Sequence, residues 1–255
     1  MIGVVVVSHS SALAHAAVEL ALQMVQGERP AIAIAAGAGE GLIGTDAMAV
    51  SAAIDEVASP DGVLVIMDLG SAVMSAEMAL DFRSSDSEVR LSSAPFVEGL
   101  LAAIVTAAGG ASLDDVDREA RAALAPKISM LDVPASAPAD VPASVPAVAP
   151  VSARADAPAG VSADLRIINP DGLHARPAAT VVSSLAGFEA KLTVVNTRTA
   201  SAPVSAHSLI GLLSLGAKSG DVLTVAASGR QAAEALARVT AMVNDGFGEP
   251  KADRT

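Results

Sequence analysis

The chain of 255 residues is long enough for two domains of ordinary size. It contains no cysteine, which excludes disulfides and thiolate metal sites, and no tryptophan or tyrosine, so an aromatic stacking platform for nucleic-acid bases is not expected. Residues 1–131 hold six Lys/Arg against 17 Asp/Glu, and the whole chain carries −12, which disfavours binding to nucleic acid or to an anionic membrane.

Residues 1–131 alternate short apolar runs with segments of helical periodicity. Strands are predicted over residues 4–7, 31–36, 62–67 and 89–91. Helices are predicted after them, reaching about residues 26, 57, 82 and 108, with one more over 113–124. Apolar strands separated by helices are typical of a parallel sheet covered on both faces. The predicted fold class of this first domain is therefore α/β, with a doubly wound, mostly parallel sheet.

Two polar side chains directly follow predicted strands of this domain. His9 stands in the segment Ser-His-Ser-Ser after the first strand, and Asp68 follows the third. Such sheets bind ligands beyond the carboxyl ends of their strands. A histidine at such a junction is often structural, but a neighbouring carboxylate can fix the ring tautomer and make the far nitrogen more nucleophilic. Thr45, Gly70 and Ser71 are candidate donors to a phosphate at this site.

Residues 132–163 are rich in Ala, Pro, Ser and Val and lack apolar periodicity, which predicts a disordered Pro/Ala linker. A second domain is predicted over 164–250, of the α+β class. Its strands are predicted at 165–168, 190–195, 199–204 and 222–226, and its helices at 174–185, 208–215 and 231–243.

The most informative segment of the chain is Gly172-Leu173-His174-Ala175-Arg176-Pro177-Ala178. The residues before it have turn chemistry, and Pro177 suits the first turn of a helix. His174 is therefore expected beside free backbone N–H groups at a positive helix end, which favours anions. Arg176 can bind phosphate oxygens with its guanidinium. These residues predict a histidine nucleophile that accepts a phosphoryl group.

The heptad resembles the phosphorylation motif of HPr, the histidine phosphocarrier of the bacterial phosphotransferase system, which has the same order of elements, an open-faced sandwich. The first domain is similar to mannose-type enzyme IIA. The resemblance rests on four blocks: Val7-Ser8-His9-Ser10, Ile43-Gly44-Thr45-Asp46, Met67-Asp68-Leu69-Gly70-Ser71-Ala72 and Ala94-Pro95-Phe96-Val97-Glu98-Gly99. Together the two parts resemble the DhaM family, the phosphoryl-donor subunits of phosphotransferase-dependent dihydroxyacetone kinases.

The resemblance implies phosphorylation of His9 on Nε2 and of His174 on Nδ1, with Arg176 as a phosphate-binding residue. Ser208 falls where many HPr proteins carry a regulatory serine, although a helix-capping role fits its position equally well. The catalytic residues implied are therefore His9, His174, Asp68 and Arg176, with no cofactor and no metal on this chain.

The resemblance also implies partners and a location. The expected partners are enzyme I, a DhaL-like subunit that binds ADP, a DhaK-like subunit that binds dihydroxyacetone, and a second copy of the chain, all in the cytoplasm without membrane insertion. Two alternatives stay open at this point. One is an enzyme IIA–HPr fusion that serves sugar uptake, and the other is a regulator whose phosphorylation state is read by a transcription factor.

Overall fold

A computed structural model describes residues 1–25, 27–39, 41–131 and 160–249. Most of the predicted linker therefore lies outside the described residues. Its last part does not belong to a linker, because a strand begins at Val161 and pairs with residue Ala227 of a neighbouring strand. The composition of residues 161–163 matches that of the linker, which explains the misplaced boundary: only the pairing identifies them as a strand.

The first domain alternates strands and helices in the predicted order. Its elements are β1 (Gly3–Ser8), α1 (Ser11–Leu22), β2 (Ile32–Ala36), α2 (Ala47–Glu56), β3 (Val63–Met67), α3 (Gly70–Phe82), β4 (Val89–Ser92), α4 (Phe96–Ala108), α5 (Leu113–Ala122) and α6 (Ala125–Met130). Helix α1 ends earlier than predicted: the backbone N–H groups of Met24 and Val25 bond three residues back, to Ala21 and Leu22, and Gly27 then turns the chain at φ +110°. Helix α6 was not predicted.

The four strands of the first domain form a parallel sheet in the order β2-β1-β3-β4. Strand β1 is buried on both faces: Val4 and Val6 pack in the layer of α1 and α4, whereas Val5 and Val7 pack in the layer of α2 and α3. This arrangement confirms the predicted doubly wound α/β fold, and it explains why the strand is apolar at every position.

The second domain has an antiparallel sheet in the order β5-β8-β6-β7 with helices on one face. Its elements are β5 (Val161–Arg166), α7 (Ala175–Ser184), β6 (Ala190–Asn196), β7 (Val204–Ser205), α8 (Leu209–Ser214), β8 (Val222–Gly229) and α9 (Ala232–Asn244). The predicted hairpin forms, but β7 is shorter than expected because a turn occupies residues 197–200. A short 3-10 turn, Gly246–Gly248, follows α9. The open-faced α+β sandwich is confirmed.

The two domains contact each other. Helices α4, α5 and α6 of the first domain meet α7 and α8 of the second, and one continuous apolar cluster runs through both. The sequence did not predict this contact. Within the described part of the chain, no helix is both long and apolar enough to cross a membrane.

Candidate functional site

His9 and Asp68 lie side by side at one edge of the parallel sheet. Strands β1 and β3 are neighbours, with Val7 opposite Met67, so the residues that follow them emerge together at the carboxyl ends. The chain runs from β1 to β2 in one direction and continues with β3 and β4 in the other. The pair therefore occupies the point where the strand order reverses, which is where such sheets bind ligands.

Asp68 holds His9 by two bonds. Its Oδ1 lies 2.9 Å from the ring Nδ1, and its Oδ2 accepts from the backbone N–H of His9 at 2.9 Å and from the buried Ser8 Oγ at 2.9 Å. Burial of the carboxylate, whose side chain is 7 % exposed, would raise the pKa of Asp68. The hydrogen bonds from His9, Ser8 and the Leu69 N–H outweigh burial, so its pKa lies below the usual value.

The carboxylate determines which ring nitrogen of His9 is available. With an ionised acceptor at Nδ1, the proton of the neutral ring is placed on Nδ1 and the lone pair on Nε2. The Nε2 atom lies 2.9 Å from Ser71 Oγ, in the first turn of α3, which starts at Gly70. A phosphoryl group on Nε2 would therefore lie at a helix N-terminus with a hydroxyl donor beside it.

Thr45 follows Gly44 beside this site, and among the described hydrogen bonds none joins its side chain to His9. Its Oγ1 bonds to Ser75 Oγ at 2.7 Å, which ties the loop before α2 to helix α3. The same loop reaches His9 through its backbone, because the Gly44 N–H donates to the His9 carbonyl at 3.1 Å. The structure thus brings His9, Asp68 and Ser71 together and gives Thr45 a bond that shapes the loop.

His174 is presented by a tight turn. Gly172 has φ +71°, and a Cβ at this position would lie 2.3 Å from the Ala217 carbonyl oxygen, so only glycine fits. The same carbonyl accepts from the Leu173 N–H at 2.8 Å. The turn therefore rests on Ala217 and Lys218, and His174 follows it as the N-cap of α7.

The segment that supports this turn is itself fixed by Asp221. Its carboxylate accepts from Arg198 Nε at 2.7 Å, from the Lys218 N–H at 2.9 Å and from Asn196 Nδ2 at 3.1 Å. The Arg198 bond is the largest influence on this group, and these bonds together overcome burial and lower the pKa of Asp221 to about 2. Asp221 is therefore ionised at neutral pH and holds the loop beneath the His174 turn.

Glu249 bonds to Nε2 of the His174 ring, whereas Asp68 bonds to Nδ1 of the His9 ring. The Glu249 Oε1 lies 2.7 Å from Nε2 of His174, and its Oε2 accepts from Asn169 Nδ2 at 2.9 Å. The Glu249 side chain is 12 % exposed and the His174 side chain 39 %. The proton is accordingly placed on Nε2, so the lone pair of Nδ1 is left for a phosphoryl group.

Arg176 and Ser208 have different surroundings. Arg176 lies exposed in the first turn of α7, and its guanidinium makes no ion pair with any residue that the structure describes. Ser208 caps α8, since its Oγ accepts from the Gly211 N–H at 2.8 Å. It also donates to Glu119 of the first domain, a contact that the sequence did not predict.

Three residues of these two sites, Ser8, Asn169 and Glu249, were not predicted from the sequence. Ser8 could have been predicted, because it directly precedes His9 and therefore lies within reach of Asp68. Glu249 and Asn169 offered no such signal, because Glu249 lies 75 residues from His174 and no periodicity links them. Among the described residues, no three His, Asp or Glu side chains gather around a potential metal position.

The chain matches two family models in the order that the domains predict. Residues 3–117 match the model described as "PTS system fructose IIA component", and residues 161–245 match "PTS HPr component phosphorylation site". A crystal structure of HPr-C-His from Thermoanaerobacter tengcongensis is 32% identical, with a TM-score of 0.33, and covers 35% of this chain and 98% of that one.

Several curated relatives share the name DhaM, and two of them differ in how much of this chain they match. "PEP-dependent dihydroxyacetone kinase, phosphoryl donor subunit DhaM" from Klebsiella michiganensis is 42% identical over 98% of this chain, which spans 52% of that relative's length. "PEP-dependent dihydroxyacetone kinase 2, phosphoryl donor subunit DhaM" from Listeria innocua is 33% identical, and the match covers 41% of this chain and 85% of that protein.

Proposed function

The chain belongs to the DhaM family of phosphoryl donor subunits, and we propose that it is a phosphohistidine relay. A phosphoryl group passes from phosphoenolpyruvate through enzyme I to His174, and from His174 to His9. It then passes to ADP held in a DhaL-like subunit, which uses its nucleotide on dihydroxyacetone bound by a DhaK-like subunit. The relay operates in the cytoplasm as a homodimer, and this chain acts as a phosphotransferase subunit.

The observation that carries this proposal is the opposite orientation of the two rings. A carboxylate occupies Nδ1 of His9 and Nε2 of His174, at 2.9 and 2.7 Å, so each ring keeps a different nitrogen for phosphate. Two structural histidines would not need this arrangement. The other two histidines bond differently: His15 Nδ1 contacts the Ser11 carbonyl at 2.7 Å, and His207 Nε2 contacts that of Ala190 at 3.1 Å.

The transfer step between the domains balances without a cofactor. The N–P bond at His174 Nδ1 breaks while a bond forms between phosphorus and His9 Nε2, whose lone pair attacks in line. The leaving imidazole of His174 retains its proton on Nε2, beside Glu249. The accepting ring of His9 gains positive character, which the ionised Asp68 stabilises. Positioning and charge stabilisation supply most of the catalysis in such a transfer.

Reconstitution of the complete reaction tests the proposal. The full chain is incubated with phosphoenolpyruvate, enzyme I, DhaL- and DhaK-like subunits, ADP and dihydroxyacetone, and formation of dihydroxyacetone phosphate is followed. We expect product to form only when the chain is present. The His9→Ala variant should accept phosphate yet yield no product. If the wild-type chain is phosphorylated but passes its phosphate only to a sugar permease, the sugar-uptake alternative replaces this proposal.

A further inference from the structure

Glu119 of helix α5 is a buried carboxylate whose hydrogen-bond partners, within the described part of the chain, all come from the second domain. Its side-chain oxygens accept from Ser208 Oγ at 2.8 Å each, and its Oε2 accepts from the Ile210 N–H at 3.1 Å. The residue is 9 % exposed. Among the described residues, no cation pairs with it. Glu119 thus depends on the second domain for the bonds that replace its hydration.

This dependence makes the contact between the domains selective. A buried carboxylate without partners is strongly unfavourable, whereas one that accepts several hydrogen bonds is tolerated. The donors are the hydroxyl of Ser208, which caps α8, and the backbone N–H of Ile210 in the first turn of α8. A misdocked second domain would leave Glu119 buried without these donors, or would leave α8 without the acceptor.

Apolar contacts make up other parts of the same interface. Val182 of α7 packs against Gly109 at the end of α4, where a Cβ would lie 3.4 Å from the Val182 Cγ1. Leu101 of the first domain and Leu213 of the second line a cavity of about 390 Å³ between the domains. Ala175, which follows His174 directly, lines the same cavity. The first domain therefore covers the surface of the second domain beside the phosphate-accepting histidine.

We propose that this contact is a closed state of the relay, in which Glu119 holds the second domain through Ser208, and that closure restricts access of a phosphoryl-donor protein to His174. The occupant of the α4–α6 surface is the chain's own second domain. The contact has one polar centre and no salt bridge among the described residues, so it is suited to reversible opening. The effect on His174 rests on the proposed function, whereas the docking does not.

A disulfide measures the docking directly, because the natural chain has no cysteine. In the Gly109→Cys/Val182→Cys variant of the full chain, the close approach of these positions should allow an intrachain disulfide under mild oxidation. Two substitutions are then added separately to this double-cysteine variant. Glu119→Lys places a cation against the backbone N–H groups that begin α8. Ser208→Asp places a second carboxylate against Glu119 but retains an oxygen that can cap the helix. Each should slow disulfide formation about tenfold or more.

Two further variants separate docking from misfolding. Combining Glu119→Lys with Ser208→Asp restores opposite charges and should recover most of the disulfide rate. Glu56→Lys makes the same charge change at an exposed position on α2 and should leave the rate unchanged. Failure of the pair to cross-link, or equal rates in all variants, would overturn the docking.

The consequence for loading, meaning the phosphorylation of His174 by enzyme I and phosphoenolpyruvate, is measured on the same proteins. The oxidised, cross-linked chain should be phosphorylated on His174 more slowly than the reduced chain, and Glu119→Lys should be loaded faster than Glu56→Lys. Equal loading rates would overturn the restricted access. A chain that cross-links as expected but is not loaded in any form would contradict the proposed function while supporting the docking.

Discussion

Replacing His174 by alanine is expected to abolish phosphorylation of the whole chain by enzyme I and phosphoenolpyruvate. Removing the nucleophile of a group transfer costs about 10³-fold or more in rate. Because His174 precedes α7 as its N-cap without a side-chain capping bond, the helix should survive the change. Radiolabel incorporation or intact mass measures the loss, and circular dichroism checks the fold.

The matched control for this change is His207→Ala, which removes another histidine of the same domain. It should be loaded at the wild-type rate, because the His207 ring bonds only to the Ala190 carbonyl among the described partners. Undiminished phosphate incorporation by the His174→Ala variant, especially on His9, would mean that enzyme I can load the first domain directly. The order of the relay would then be wrong.

Replacing Asp68 by asparagine is expected to slow transfer from His174 to His9 by about 10²- to 10⁴-fold. An amide can donate to Nδ1, which favours the tautomer with its proton on Nε2, the nitrogen that must attack. The amide also lacks the charge that stabilises the accepting ring. Rapid-quench measurement of phosphate on each histidine gives the two rates separately.

Phosphorylation of His174 should stay normal in the Asp68→Asn variant, since every hydrogen bond of Asp68 within the described ranges goes to a residue of the first domain. Asp81→Asn removes an exposed carboxylate near the end of α3, the helix that follows Asp68, and should leave the phosphorylation of both histidines intact. Equal loss at both histidines, or normal transfer to His9, would contradict the role assigned to Asp68.

Much of the fold follows from local patterns in the sequence. The continuous apolar runs of β1 and β3 identify strands buried on both faces, and the helices between them dictate a parallel sheet. Helix α6 was missed because six residues give too little periodicity, and its contacts with α8 form only in the folded chain. Strand β5 was partly missed because its first residues have the composition of the linker.

The two sites differ in how far the sequence could predict them. His9 and Asp68 follow neighbouring parallel strands, so the topology alone predicts their proximity. The turn at Gly172 and the helix after it likewise place His174. Glu249 could not be predicted as the partner of His174, because the turn after α9 determines where the Glu249 side chain lies. Similarly, the acidic side chains of a helix such as α5 are usually predicted to face solvent. Glu119 is buried because the second domain packs against it, which the sequence of α5 does not indicate.

We expect the two histidines to carry phosphate on opposite ring nitrogens, Nε2 of His9 and Nδ1 of His174. The most direct test is ¹⁵N and ³¹P NMR of the full chain, labelled with ¹⁵N-histidine and phosphorylated by enzyme I and phosphoenolpyruvate, with His174→Ala and His9→Ala used to assign the signals. We predict two phosphohistidines, with phosphorus coupled to Nδ1 at His174 and to Nε2 at His9. Phosphate on the same nitrogen of both rings, or on one histidine only, would contradict this account.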